Sequence, residues 1–494
     1  MASSSAAAAA AAPRVAARAR PRASSSSRAS ASAASTARRR ASAAAAAPSA
    51  PSSELSWPDA TATATCDGDL AVVASVVNLG ARGVIATGLP FLDHMIDQLT
   101  SHAQLGVSVI VTEGATAREP CVDASGSDDE RVASVAGEAL GSALRAFLAP
   151  GIARTRDGTV APDAASAVFA APLDEAYSWC DLNASPETPG RLDFELAPYG
   201  PASSPGGIGR TRIGTYQTKL TEPFFAALTE ASGVAMHIQK CRGDNAHHIT
   251  EASFKAFARC LRAAMDSMEG VDVVSMNAKL EGVTRSASRA RATKETDIDV
   301  FVDLDGAPDV TSVSTGIATL DALLCEIAAH GGVQLNVKAT GDLWIDDHHT
   351  TEDVAITIGQ VLCEALGDKA GCNRMGRAVA AVLDGGDVDA ADAADAAVVE
   401  AVMDLSNRPY LENGVEFRDE FIGDLSAEMI DHLFMSVTAN GQMTVHLVQH
   451  AAGKSDGDLA VAAARAFGRC LRQCVAVDPR RAGAVASSKG TLSV

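Results

Sequence analysis

No two of the ten cysteines are spaced Cys-x-x-Cys. Their scatter excludes a zinc ribbon and offers no framework of secreted disulfides, so they read as reduced thiols in a reducing compartment. No uninterrupted apolar run approaches the roughly 20 residues of a membrane span, and the expectation is a soluble protein without a membrane partner. Aromatic residues make up only 4% of the chain and none interleave with a basic patch; with a formal net charge of −20, that leaves no surface for nucleic acid. A small anion would have to be held by local Arg or Lys. Acids, in turn, are missing from one place: residues 1–53 carry eight Arg and no Asp or Glu, the first acid being Glu54. Such an Ala-, Ser- and Arg-rich leader cannot bury a core and has the composition of a transit peptide. Its abundant hydroxyls favour a chloroplast over a mitochondrion, with a cut expected near Ala50 to Ser53.

What is present repeats. The segment TGLPFLDHMIDQLTSHAQLGVSV, Thr87 to Val109, returns without a gap as TGIATLDALLCEIAAHGGVQLNV, Thr315 to Val337. Likewise GDNAHHITEASFKAFARCLR, Gly243 to Arg262, returns as GKSDGDLAVAAARAFGRCLR, Gly453 to Arg472. A period above 200 residues is a tandem duplication, far longer than a solenoid repeat. The expected bounds are copy one over 58–280, a linker rich in small and basic residues over 281–292, and copy two over 293–494. Within each copy short β-like runs such as VFVDLDG and MTVHLVQH alternate with amphipathic helical stretches, and each copy itself looks two-fold. The expected class is α+β, with helices packed on one face of mostly antiparallel sheets. The Asp- and Ala-rich stretch Asp384 to Ala397 has no counterpart in copy one and reads as an exposed insertion.

The chemistry gathers in WIDDHHTTEDVAITIGQ, Trp344 to Gln360. On a helix, His348 and Glu352 share a face while His349 lies about 100° further round, so one motif can serve two metal ions. Imidazole with carboxylate suits manganese, iron or zinc. An isolated HHxxE is more simply a helix start capped by Asp346 or Asp347. A second such motif, His247, His248 and Glu251 in NAHHITEASFKAFAR, weighs against accident.

These residues resemble the imidazoleglycerol-phosphate dehydratase family. The motifs that carry the resemblance are TKET (Thr293 to Thr296), GLPFLDHMIDQLTSH, IDDHHTTED, ALGDKAGCNRMG, DLSNRPYL, NAHHITEASFKAFAR and SSKG (Ser487 to Gly490). The resemblance implies a ribosomal protein S5 domain 2-like fold and active sites between neighbouring domains. In the family one domain holds every motif; here neither copy does. Copy one keeps His94, Gln98, His102, His247, His248, Glu251 and Lys255, but reads VDASGSDDERVA where the first motif belongs, so Gly126 and Ser127, or their neighbours, replace both its histidines, and Pro223 replaces another. Copy two keeps Lys294, Glu295, His348, His349, Glu352 and His432, but carries Ala322, Gly457, Asp458 and Val461 at the remaining ligand positions. The losses are complementary, and the two copies together contain one full set. One shared site per chain follows, with its mirror image empty.

The implied activity is a hydro-lyase step of histidine biosynthesis, loss of water from imidazole glycerol phosphate to give imidazole acetol phosphate, with two Mn2+ ions per site. The implied metal ligands are His94, His247, His248, Glu251, His348, His349, Glu352 and His432, the first His and the Glu of one motif sharing an ion with the second His of the other. Glu295 is the implied base or acid for the carbon-bound proton. Gln98, Lys255, Arg374, Arg408, Ser487 and Lys489 are the implied substrate-binding groups. Copy one has Ser185 opposite Arg408 and Asn277 opposite Ser487, although Arg154 and Lys279 remain, so a phosphate pocket built on it alone would be weak. The implied assembly is a large homo-oligomer, with or without a single-domain paralogue, in the plastid stroma. The rival is a non-catalytic subunit co-assembling with a single-domain dehydratase. Retention of Arg374, Arg408, Lys489 and Glu295, which metal binding alone does not need, favours the enzyme. His237 and His446 read as core histidines, and His102 and His330 as supporting or structural ones.

Overall fold

Alternation of period two makes the strands. Along Leu70–Asn78 the side chains of Leu70, Val72, Ala74 and Val76 are buried while Val73 between them is exposed. The computed structural model describes residues 55–66, 69–114, 116–119, 128–185, 190–276, 282–389, 395–481, 483–489 and 491–492; the leader, Gly126, Ser127 and Asn277 lie outside these.

In the first quarter, β1 (Ala60–Cys66), β2 (Leu70–Asn78), β3 (Ile85–Ala86) and β4 (Leu105–Glu113) lie in the order β1-β2-β4-β3, antiparallel except for the parallel β3–β4 pair. Helices α1 (Pro90–Ile96) and α2 (Gln98–His102) join β3 to β4, and α3 (Asp129–Arg156) follows. The second quarter repeats this order with β5 (Ser166–Leu173), β6 (Ala176–Asn183), β7 (Leu192–Glu195), β8 (Ala235–Arg242), α4 (Thr221–Ser232) and α5 (Ala246–Glu269). The third has β9 (Ser286–Ala292), β10 (Thr296–Asp303), β11 (Ser312–Ser314), β12 (Gln334–Gly341), α6 (Ala318–Gly331) and α7 (His348–Leu366). The fourth has β13 (Met375–Leu383), β14 (Ala397–Asp404), β15 (Tyr410–Asn413), β16 (Thr444–Ala452), α8 (Ala427–Asn440) and α9 (Asp456–Val475). The α+β class and the internal two-fold of each copy are therefore structural facts. The last helix of each quarter begins at an equivalent point, and two of these starts, those of α5 and α7, carry the histidine pairs.

Residues 286–292, expected to lie in a linker, instead form β9, paired with β10 along its whole length. The arginines that suggested a linker belong to an edge strand: Arg289 donates to Gln360 at 2.9 Å and pairs with Glu364, and Arg291 pairs with Asp353. Charged side chains of this kind also discourage edge-to-edge pairing with other chains.

By length and composition α3 could cross a membrane, yet 67% of its most apolar window is buried inside the fold, against α4 and the first sheet. Small residues let the two helices close up. A Cβ on Gly137 would stand 2.2 Å from the Phe224 carbonyl oxygen, and one on Gly141 2.4 Å from that of Leu228. Its apolarity is that of a core helix.

Ser56–Val494 form one compact unit in which the second and fourth sheets face each other. β5 lies across β13, β14 and β16, with Ala170, Tyr177 and Val402 at the centre of the joint. Polar bonds fix its register. Arg259 donates to Asn373 Oδ1 at 2.8 Å and covers the Phe169 ring, Gln104 donates to Asp478 at 2.6 Å, and Arg480 pairs with Asp266 at 2.6 Å.

His446, fully buried at this joint, donates from Nε2 to the Asp174 carbonyl at 2.9 Å. Burial pushes its pKa down to about 4 from 6.5, even though the Asp174 carbonyl favours the charged form. The unfolded chain takes up this proton below pH 6.5 and the folded chain resists it until about pH 4. Stability therefore rises with pH across that window, by on the order of 3 kcal/mol in all. The urea midpoint should fall between neutral pH and the bottom of the window. His446→Gln, which keeps a donor for Asp174, should flatten the fall; an unchanged slope would show that His446 is not its source.

Candidate active site

Asn245 caps α5, its side chain accepting from His247 N at 3.0 Å. That start places His247 and Glu251 one turn apart on one face, His247 Nε2 being 3.1 Å from Glu251 Oε2. His94, from α1, reaches within 3.7 Å of the same oxygen. One donor atom from each of these three lies within 4.8 Å of the others, a cluster sized for a metal ion. Two imidazoles and a carboxylate are a donor set that manganese, iron or zinc accepts. Burial opposes ionisation of Glu251, but Lys255 Nζ at 2.8 Å, with His247 and His94, overcomes it and holds the carboxyl far below its usual range. The group is anionic, as a metal ligand must be.

This cluster forms one wall of a cavity of about 370 Å³. His94, His102, His247, His248, Glu251 and Lys255 come from copy one; Arg374, Arg408, Ser487 and Lys489 come from copy two. Groups of both copies thus meet within a single chain. Arg408 Nε donates to Asp174 at 2.7 Å, and Ser487 Oγ accepts from Lys489 N at 3.2 Å. Lys489 is exposed at the rim. Behind the pocket His102 is fully buried, and burial, followed by the charges of Arg374, Lys255, Arg259 and Arg481, pushes it well below its ordinary pKa. It is neutral and supports the wall.

The second histidine pair lies outside this cavity. Asp346 accepts from His348 N at 3.0 Å, whereas Asp347 takes the Ser426 backbone N–H and, at 2.9 Å, its hydroxyl. Of the two candidate caps, Asp346 does the capping and Asp347 ties α7 to the start of α8. That tie brings His432 to His348, with ring centroids 4.9 Å apart and Glu352 Oε2 3.8 Å from His348 Nε2. His348, Glu352 and His432 form a second metal-sized cluster. Exposed Glu295 sits close enough for its charge to act on His349, which lies 3.1 Å from Asp342. The two clusters share no residue: α7 packs on α8 and the third sheet, α5 on α2 and the second sheet.

Other expected residues fall less simply. Gln98 is fully buried and donates to the His94 carbonyl at 3.1 Å, behind the pocket wall rather than in it. Arg374 reaches the pocket, but three of its N–H groups are engaged, two by Asp404 at 2.6 and 2.8 Å and one by the Ala486 carbonyl. His237 is not a core histidine: its side chain is a third exposed, on strand β8 between β6 and β7, 3.8 Å from Glu195. The mirror site is filled by ion pairs. Arg465, opposite Lys255, bonds to Glu326 at 2.8 and 2.9 Å and to Asp387 at 3.2 Å, while Asp458, opposite His248, accepts from the Asp384 and Gly385 backbones. The base of the insertion is tied into that network.

Sequence reasoning missed Asp174 and Glu175. They form the two-residue turn between β5 and β6, Asp174 at φ +50, and hold Arg408 and His248 respectively, Glu175 at 2.7 Å. The available signal was one more loss: copy two keeps Asp384 opposite Asp174 but has Gly385, at the start of the insertion, opposite Glu175.

An imidazole–carboxylate cluster facing arginine and lysine across a cavity of this size defines a metal-assisted enzyme for a small anion. The sequence profile of the imidazoleglycerol-phosphate dehydratase family matches residues 87–261 and again 315–471, and the chain belongs to that family, in tandem-duplicated form. The imidazoleglycerol-phosphate dehydratase of Gloeobacter violaceus is 43% identical over 208 residues, spanning 42% of this chain and 98% of that protein. The chloroplastic dehydratase of Pisum sativum is 41% identical over 210 residues, 42% of this chain and 70% of that protein. Among solved structures, the Staphylococcus aureus dehydratase matches over 39% of this chain and 99% of its own at 27% identity, with a TM-score of 0.33.

Proposed function

We propose that the chain is a manganese-dependent imidazoleglycerol-phosphate dehydratase, eliminating water from imidazole glycerol phosphate to give imidazole acetol phosphate. The observation that carries this reading is the single cavity in which the His94, His247 and Glu251 cluster of copy one faces Arg408, Ser487 and Lys489 of copy two. His94, His247 and Glu251 would hold one ion and His348, Glu352 and His432 the other. His248 and His349 turn away from their own clusters toward Glu175 and Asp342, as expected if each serves the ion of the opposing cluster. Bound metal supplies Lewis acidity to the imidazole ring, so that the neighbouring carbon-bound proton comes within reach of a carboxylate. Glu295 takes that proton. Arg408, Ser487 and Lys489 hold the phosphate, with Asp174 fixing the Arg408 fork.

Since the two clusters lie on separate faces, a complete site forms where the first half-site of one chain meets the second half-site of another. The faces suit each other. The first offers the exposed amine of Lys489 at its rim, and Glu295, Asp342, Asp346 and Glu352 give the second carboxylates to meet it. Beside the second, Trp344 at 83% and Ile345 at 62% exposure offer apolar area for such a contact. The chain is thus a homo-oligomer, and the chloroplastic names of its plant relatives, with the acid-free leader, support the plastid as its location.

The chain from residue 54 onward, purified without any single-domain dehydratase and loaded with Mn2+, should turn over imidazole glycerol phosphate. Full metal loading without turnover would favour the structural-subunit reading instead.

A further inference from the structure

The segment that supplies Ser487 and Lys489 is a strap that leaves copy two and lies against copy one. Copy two holds it at both ends, Arg374 Nη1 donating to the Ala486 carbonyl at 2.5 Å and Asn407 Nδ2 to that of Leu492 at 2.7 Å. Between those points stands one bond from copy one: Arg82 Nη2 donates to the carbonyl of Ser488, at 2.8 Å. Ser488 lies between the two residues proposed to bind phosphate. Arg82 is itself fixed by Asp97, Nε donating to Oδ1 at 2.8 Å and Nη2 to Oδ2. Asp97 closes α1, the helix of His94, its backbone N–H bonding to the Asp93 carbonyl at 3.1 Å. One guanidinium therefore joins the metal-ligand helix of copy one to the phosphate strap of copy two.

The duplication supplies a control. Arg82 stands five residues before Thr87, and the residue five before Thr315 is Val310. The copy-one segment that would serve the mirror site has Asn277 in place of Ser487. The arginine is present where the strap's serine survives and absent where it is lost, while a lysine stands in both segments, Lys279 opposite Lys489. An ion pair whose arginine is 53% exposed contributes little to folding, so stability gives no account of this pattern.

We propose that Arg82 is a positioning residue for the phosphate: anchored on Asp97, it latches the strap so that Ser487 and Lys489 face the cavity, at a fixed distance from His94. The inference rests on the dehydratase reading for its kinetic consequence and on geometry alone for its structural one. In the full mature chain, Arg82→Ala should raise KM about fivefold, the worth of one charge-assisted hydrogen bond in a half-exposed place, with kcat changed by no more than about twofold. Thermal stability and bound metal should match the parent. Hydrogen–deuterium exchange of residues 485–492 should quicken, and saturating inorganic phosphate, which slows it in the parent, should slow it less in the variant. Arg82→Lys, which cannot hold the Asp97 fork and the strap together, should fall between, and Asp97→Asn should match Arg82→Ala with little added in the double variant. Unchanged KM and exchange would overturn the proposal, as would a KM rise that merely tracks lost stability. A parent without turnover, but whose phosphate-protected exchange is lost in Arg82→Ala, would sink the dehydratase reading and leave the latch standing.

Discussion

His248→Ala and His349→Ala should each reduce turnover by about 10³-fold or more, and the double variant should be no worse than either. The reason lies in where the two histidines point. His248 Nδ1 lies 2.7 Å from Glu175 and His349 Nδ1 3.1 Å from Asp342, so each ring is held by a carboxylate through one nitrogen, which sets its tautomer and leaves Nε2 as the ligand atom. Removing either ring leaves one ion of a two-ion site short of a ligand. Groups that act as a unit fail as a unit, which is why the double loss adds nothing. Metal content per chain should fall in both variants, and folding stability should stay close to that of the parent, since both side chains are partly exposed. Two self-sufficient sites would give another pattern, with one single variant keeping a large share of the rate.

Arg374→Ala should be the most destabilising substitution in the pocket. Arg374 is 4% exposed and its partner Asp404 is fully buried, joined by two parallel bonds of 2.6 and 2.8 Å. Taking away one partner of a buried pair leaves an uncompensated charge, a loss of about 3–5 kcal/mol. The strap also loses its bond at Ala486. Arg374→Lys should rescue little, because a point charge cannot replace the fork. Urea unfolding of Arg374→Ala, Asp404→Asn and the double variant checks this: the double should cost much less than the sum. A loss below about 1 kcal/mol for Arg374→Ala would mean that the pair does not hold the pocket.

Much of this was legible in the sequence because it depends on period and identity. Ungapped repeats exposed the duplication, helical spacing put His247 with Glu251 and His348 with Glu352, and the α+β class followed from alternating runs. What was not legible depends on which faces meet. Nothing in the spacing says that Arg408 lies beside Asp174, 234 positions earlier, or that the strap reaches Arg82. Gln98 was assigned to substrate from its motif, yet burial turns its amide onto the His94 carbonyl. The arginines of 286–292 suggested a linker because an exposed edge strand and a linker share the same composition. The mirror site was expected to be empty, since a lost ligand is visible in sequence, while its replacement by Arg465, Glu326 and Asp387 needs three distant segments to converge.

The central claim is that one complete site is assembled from the first half-site of one chain and the second half-site of another. The most direct test is to co-assemble the inactive His248→Ala chain with the inactive His349→Ala chain in equal amounts and measure turnover. Where the first half-site of a His349→Ala chain meets the second half-site of a His248→Ala chain, every ligand is present; random assembly makes about a quarter of all sites of this kind. The account predicts activity rising from near zero toward about a quarter of the parent's on mixing. A mixed assembly as inactive as its two components would contradict it and place the whole site within one chain.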